Sequence, residues 1–264
     1  MVVIELLYLH LPAFLLILCR IGAFFAVAPL FSFAGVPAQF KIGIAFFVSL
    51  LTFFTFGTTT TVTFGDDYIL SVIREVLVGI LLGFIAYLFF TVVQVAGSFV
   101  DLQMGFAVVN VIDPVTGAQS PILGNFKFVV AILLFLAMNG HHYFIAGIME
   151  SYRWVPLENE WFARLYDGSV TQFLIASFAT MFELAFKMAA PLIVALFLAD
   201  VALGMLARTA PQFNIFVVGI PFKILLGFFV FFIMIGSFLY LFQELFQTLL
   251  QSLQEMLLIL QGGS

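Results

Sequence analysis

Eight charged side chains, Arg20, Arg74, Glu75, Asp101, Glu183, Lys187, Asp200 and Arg208, stand within or at the edge of long apolar runs. A charge at the centre of a membrane helix costs about 2.5–3.5 kcal/mol on insertion scales. Eight of them facing lipid would cost on the order of 20 kcal/mol, more than the ~5–15 kcal/mol by which a folded protein is stable. Each must therefore be paired, lie near a segment end, or face water or another protein. Glu183 and Lys187 are four apart with the acid first, so they meet on one helical face. The insertion cost predicts that protein rather than lipid covers them. Asp200 and Arg208, eight apart, share a face two turns from one another and complete the expected set of structural ion-pair residues. Arg20 has no partner nearby in sequence and must find one on another helix or chain. Such a set serves either packing or a proton or ion relay. No run carries the tight acidic cluster that proton-driven pumps use, and this favours packing.

Other groups invite a catalytic or metal reading and fall short. Adjacent histidines, His141 and His142, point to different faces of a helix, and only His10 exists elsewhere. Metal ligation needs three or four convergent ligands, so no metal site is expected. Asp66-Asp67 lacks the second acidic motif of a magnesium-dependent prenyl-transfer site. Ser98 has no Gly-x-Ser-x-Gly setting, and no Gly-rich Lys loop for nucleotide phosphates is present. Cys19 is the only cysteine, which excludes a disulfide within the chain and leaves it as a small buried hydrophobe. The expectation is no catalytic residue, no metal and no cofactor.

The elements that carry these residues follow from composition. Of 264 residues, 64% are hydrophobic and only 9% charged, with a mean hydropathy of +1.23. A soluble domain carries roughly 25% charged residues, so lipid or other subunits must cover most of this surface. Nine Lys and Arg, scattered singly in a chain of net charge -5, offer no stripe for a phosphate backbone and exclude nucleic acid. An acidic start (Glu5), an interrupting Arg20 and Pro29 after Ala26-Val27-Ala28 speak against a cleaved signal peptide.

A span needs about 20 mostly apolar residues. Residues 6–28, 40–57, 70–100, 126–149, 170–207 and 224–243 qualify. The fifth is too long for one ordinary span, and Pro191 predicts a kink or two shorter segments. Around 241–260 the pattern changes. Gln243, Gln247 and Gln251 recur at spacing four opposite Leu245, Leu249 and Leu253, which predicts an amphipathic helix that wants a partner or a membrane surface. The fold class is thus an all-α integral membrane protein of about six long, kinked apolar helices arranged as hairpins plus a C-terminal amphipathic helix. Residues 1–264 form a single membrane-embedded domain in this reading. Trp154 and Trp161 in the polar stretch 151–168 fit an interfacial belt. Lys41, Lys127, Arg208 and Lys223 fall on one side of a six-span arrangement, which the positive-inside tendency makes cytoplasmic.

Three connectors, 29–41, 105–125 and 208–223, are rich in Pro and Gly yet apolar. Broken backbone of this kind is tolerated at membrane depth only within protein or along a cavity. Gly35-Val36-Pro37 before Phe40-Lys41-Ile42 echoes Gly219-Ile220-Pro221 before Phe222-Lys223-Ile224, through either an internal repeat or chance.

Taken together these residues resemble the FliR family. The resemblance rests on Gly97, Asp101-Leu102-Gln103-Met104-Gly105-Phe106, Asp113-Pro114, Gly117 and Gln119 in the centre. Ala199-Asp200, Gly204, Arg208, Pro211-Gln212, Asn214, Phe216, Gly219, Pro221 and Lys223 match the C-terminal part. Arg20, Pro29, Phe31, Pro37 and Lys41, then Arg74-Glu75, Gly79 and Gly83, match the N-terminal part, so the likeness runs in order from about residue 20 to 230. It implies a subunit of the flagellar type III protein-export gate, at the basal body in the bacterial inner membrane. Members assemble as one copy with several FliP-type and FliQ-type subunits, contact FlhB-type and FlhA-type proteins, and stand partly above the membrane plane. Unfolded export substrates thread the central pore. The segment matching 106–124 forms a plug in the family, carrying over to Phe106, Val109, Asn110, Asp113, Pro114, Gly117 and Gln119. The alternatives are an injectisome export subunit of the same family, or a small-solute secondary transporter.

Overall fold

A computed structural model describes residues 2–32, 35–59, 62, 64, 65, 67–106, 121–157, 168–210, 212 and 214–262, with the side chains of 2–9, 59, 215 and 216 outside the description. The described residues form helices and no strand. In order these are α1 (Val2–Val27), α2 (Pro29–Ser32), α3 (Ala38–Phe56), a 3-10 turn (Gly57–Thr59), α4 (Tyr68–Met104), α5 (Ile122–Ala137), α6 (Gly140–Trp154), α7 (Ser169–Thr209), α8 (Ile215–Ile233) and α9 (Ile235–Gln261). Helix is what an apolar solvent demands, since each backbone N–H and C=O must find its partner within the segment. Hydroxyls obey the same rule: Ser49 and Thr52 donate back to the carbonyls of Ala45 and Val48 at 2.6 and 2.8 Å.

By length and composition, four helices can cross a membrane, or up to six if α5 with α6 and α8 with α9 each count as one broken span. Two are longer than a bilayer requires. The 37 residues of α4 and 41 of α7 correspond to about 55 and 60 Å, against ~30 Å of hydrocarbon. Tilt alone would have to reach roughly 55–60°, beyond the usual range of about 0–40°. Part of each therefore lies outside the lipid core.

The breaks differ in detail from the sequence reading. Pro191 neither ends α7 nor divides it; one helix runs through from Ser169 to Thr209. The run expected at 126–149 is instead interrupted at Asn139, which takes a left-handed conformation with φ 58° ahead of Gly140. A Cβ on Gly140 would strike the Phe135 ring, so the turn needs a residue without one. The last helix begins at Ile235, earlier than expected, after a 63° bend. Pro37 caps the start of α3 while Pro221 lies inside α8, so the two Gly-x-Pro echoes do not occupy matching structural positions.

The chain gathers into two compact units, residues 1–88, 135–177 and 248–264 in one and 89–134 and 178–247 in the other. In the first, α1 pairs with α3 and meets α4 through glycine. A Cβ on Gly79 would fall on the Arg20 carbonyl oxygen, and one on Gly83 would meet the Val27 side chain at 2.9 Å. Such close backbone approach is how membrane helices gain packing without a hydrophobic driving force. Beside this contact lies Arg20, fully buried. Its Nε donates to Glu75 Oε2 at 2.6 Å, and Nη2 to Glu75 Oε1 at 3.0 Å. Nη2 also donates to the Val155 carbonyl at 2.8 Å and Nη1 to Ser151 Oγ at 3.1 Å, while the guanidinium lies 4.0 Å from the Tyr152 ring centre. Tyr152 in turn donates to the Ile17 carbonyl at 3.2 Å. One cation thus joins α1, α4 and the end of α6, inside a core that includes Leu16, Ile17, Phe25, Ile85 and Ile148. In the second unit, Val92, Val93, Val100, Met104, Ala131, Ala185, Ala189 and Leu196 are fully buried.

Breaking a buried pair from one side leaves an uncompensated charge at a cost of about 3–5 kcal/mol, whereas replacing both partners with apolar groups of similar size is far milder. Glu75→Ala should therefore remove most of the folded protein recoverable in mild detergent. The double change Arg20→Met with Glu75→Leu should recover a large part of it. Equal recovery for Glu75→Ala and the unaltered chain would contradict this role.

Candidate functional site

In the second unit the polar residues of the apolar segments converge where α4 ends. The carboxylate of Asp101, 4% exposed, accepts hydrogen bonds from the backbone N–H of Leu123 at 3.1 Å and of Gly124 at 3.2 Å. These are among the unpaired N–H groups at the start of α5, and a carboxylate there also suits the helix dipole. One turn earlier, a Cβ on Gly97 would collide with the backbone of Gly124, so α4 and α5 touch main chain to main chain. The buried ammonium of Lys127 lies 5.3 Å from the Phe231 ring centre. The two helices that flank the central connector are thereby pinned together at its base.

The last turn of α4 is held from other sides as well. Gln103 Nε2 donates to Asp200 Oδ2 on α7 at 2.9 Å, and Lys223 Nζ on α8 reaches the same carboxylate at 2.9 Å. Met104, fully buried, fills the place that a side chain at Gly227 would take. The helix then stops at Gly105, whose φ of +87° suits glycine, and Phe106 packs edge-on to Phe228 with centroids 6.5 Å apart.

Of the expected plug residues, Phe106 is thus placed. Val109, Asn110, Asp113, Pro114, Gly117 and Gln119 lie outside the described residues, as does Pro211. Asp200 pairs with Lys223 and not with Arg208, which is a correction to the sequence reading. Arg208 is exposed in the last turn of α7 and makes no ion pair among the described residues. Two helical turns separate it from Asp200, whereas the turn into α8 brings Lys223 to hydrogen-bond distance. Glu183 and Lys187 meet at 2.6 Å but remain 64% and 56% exposed, so this chain does not bury them. Lys41 lines a cavity of about 360 Å³ between α1 and α3. Asn214 begins α8, its carbonyl accepting from Val217 N–H at 3.1 Å. The rings of His141 and His142 lie 4.2 Å apart, tilted by 43°, and no group of three or more metal-ligating side chains forms among the described residues. Ser151 and Tyr152, the further contacts of Arg20, gave no signal in the sequence. They are an ordinary serine and tyrosine at the start of the polar stretch 151–168.

Long apolar helices, breaks lined by paired charges and a broadly apolar exterior define a membrane protein. Residues 11–249 match the family described as bacterial export proteins, family 1. The flagellar biosynthetic protein FliR of Bacillus subtilis (strain 168) is 42% identical over 246 residues, covering 93% of this chain and 95% of the relative. FliR of Escherichia coli (strain K12) is 30% identical over 80% of this chain and 79% of its own length. The surface presentation of antigens protein SpaR of Shigella flexneri is 32% identical over 80% and 83%. The chain belongs to the FliR family of bacterial export proteins.

Asp101→Ala should leave the N–H groups of Leu123 and Gly124 unmet. Hydrogen bonds to a charged acceptor contribute about 1.5–3 kcal/mol, so amide exchange at these two positions should accelerate roughly tenfold to a hundredfold. Exchange at Ala131, further along α5, should change much less. Unaltered exchange at Leu123 would show that the carboxylate does not cap the helix.

Proposed function

We propose that this chain is a non-enzymatic subunit of the flagellar type III protein-export gate in the bacterial inner membrane, where it helps to form and close the pore for unfolded flagellar proteins. The observation that carries this reading is the match to flagellar FliR across 93% of the chain. The 42% identity to FliR of Bacillus subtilis over 93% of this chain, against 32% to SpaR of Shigella flexneri over 80%, favours the flagellar over the injectisome branch. Its partners in this reading are FliP-type and FliQ-type subunits, with FlhB-type and FlhA-type proteins alongside.

Physical features support a chain wrapped by neighbours. On α3, Phe40, Phe47 and Phe54 recur at spacing seven and are 58%, 66% and 66% exposed. On α7, Phe178, Phe182 and Phe186 are exposed around the Glu183–Lys187 pair. A charged pair amid phenylalanines is costly against lipid, and a protein neighbour can meet both the rings and the charges. Dependence on partners rests on the family resemblance and not on Arg20, because Arg20 finds its carboxylate within the chain, at Glu75.

The plug reading of residues 106–124 rests on composition: Phe106, Val108, Val109, Val111, Ile112 and Val115 are too apolar for a loop in water, while Pro114, Gly117, Pro121 and Gly124 keep any helix short. An apolar constriction closes a pore by excluding water yet yields to a passing peptide.

Co-production with FliP-type and FliQ-type subunits should give a discrete complex containing this chain. A well-behaved detergent monomer with a sharp cooperative melt, indifferent to those subunits, would contradict the assembly. Within the complex, deletion of 107–122 should preserve assembly and make the inner membrane leak small ions; an assembled, ion-tight deletion would refute the plug. For Glu183 and Lys187, either single neutralisation should reduce complex yield severalfold, and exchanging the two charges should restore part of it. Unchanged yield in both single variants would mean that water, not a partner, covers the pair.

A further inference from the structure

One carboxylate ties together three helices at the point where α4 ends. Asp200 on α7 receives Gln103 of α4 and Lys223 of α8, both at 2.9 Å. Lys223 is 16% exposed and Asp200 41%, so the pair lies at a margin between core and surface. Gln103 is two residues before Gly105, where the helix stops with φ +87°. Nothing covalent joins these helices near the contact: Gln103 and Asp200 are 97 residues apart, and Asp200 and Lys223 are 23 apart.

The chemistry of the three groups is specific. A neutral amide donates one bond, an ammonium supplies the compensating charge, and the carboxylate is shared between them. Without Lys223, Asp200 would be a partly buried anion held only by an amide. Without Asp200, Lys223 and Gln103 would both lose their acceptor and the end of α4 would lose its polar tie to α7. Two further contacts among the described residues there, Met104 at Gly227 and Phe106 on Phe228, are apolar and carry no charge pairing.

We infer that Asp200 is a positioning residue that sets the resting, closed state of the passage by holding the end of α4 against α7 and α8. The inference rests on the pore-closing reading above. It predicts that closure depends on the charge pairing of Asp200 with Lys223, through a residue that need not touch the exported chain.

The test uses the assembled export complex in cells, with small-ion leak and complex yield measured together. Asp200→Ala and Lys223→Met should each raise leak severalfold at unchanged yield. Asp200→Asn combined with Lys223→Gln keeps shape and hydrogen bonding but removes the ion pair, and should also leak. Asp200→Lys with Lys223→Asp should return the leak toward the unaltered level, because the Gln103 amide can turn its oxygen to the new ammonium. If the neutral double variant assembles and is ion-tight while deletion of 107–122 leaks, the inference fails and the plug reading stands. If the deletion itself assembles and is tight, the plug reading fails instead. Leak that persists undiminished in the exchanged-charge variant would also overturn the role assigned to the pairing.

Discussion

A charge in an apolar helix must be met by another charge or by oriented dipoles, and that requirement organises this chain. The long helices themselves carry little positional information, since Leu, Phe and Ile recur along α1, α3, α4, α5, α7, α8 and α9 and hydrocarbon solvates each face equally well. Their register comes from the few polar side chains. Arg20 accepts only a placement of α1 that delivers it to Glu75, Ser151 and the Val155 carbonyl. Asp101 does the same for α5, and Asp200 for α8. Beside these charges, glycine sets the approach: Gly79 and Gly83 against α1, Gly97 against Gly124. Bonds and small residues thus divide the work between orientation and distance.

The two units use this principle to different ends. In the first, the Arg20 network is sealed, with both partners fully buried, and it behaves as a structural rivet. In the second, the Asp200 pair is partly exposed, and it stands beside the place where helix gives way to the central connector. A sealed pair is costly to open, whereas one at the margin can exchange partners with water or with a neighbouring protein. The same residue chemistry therefore suits permanence in one place and movement in the other. Equally, α4 and α7 exceed the thickness of a bilayer, so part of each has water or protein rather than lipid around it.

Much of this was legible beforehand, for identifiable reasons. The four helices α1, α3, α4 and α7 follow from apolar length, and α9 from the glutamines at spacing four. Family-specific residues pointed to Asp101, Gln103, Asp200 and Lys223 without saying what each one touches. Pairing was the harder part. Arg20 and Glu75 are 55 residues apart, so no periodicity connects them. Asp200 and Arg208 share a helix face two turns apart, yet the turn into α8 brings Lys223 to the carboxylate at 2.9 Å. Breaks were legible only in part. Pro191 is carried within α7 without ending it, while Asn139-Gly140 interrupts a run whose hydropathy hardly changes. The bend after Ile233 falls in an apolar Met-Ile sequence, with no proline at the break to announce it.

If residues 106–124 close the pore as proposed, the end of α4 borders the path of the exported polypeptide. This is tested most directly by placing a photo-reactive amino acid at position 106 in cells that hold a flagellar export substrate stalled in transit. The account predicts covalent capture of the substrate from position 106, and none from position 148, where Ile148 is buried within the first unit. Capture of lipid alone from position 106, with the substrate demonstrably stalled in the gate, would contradict it.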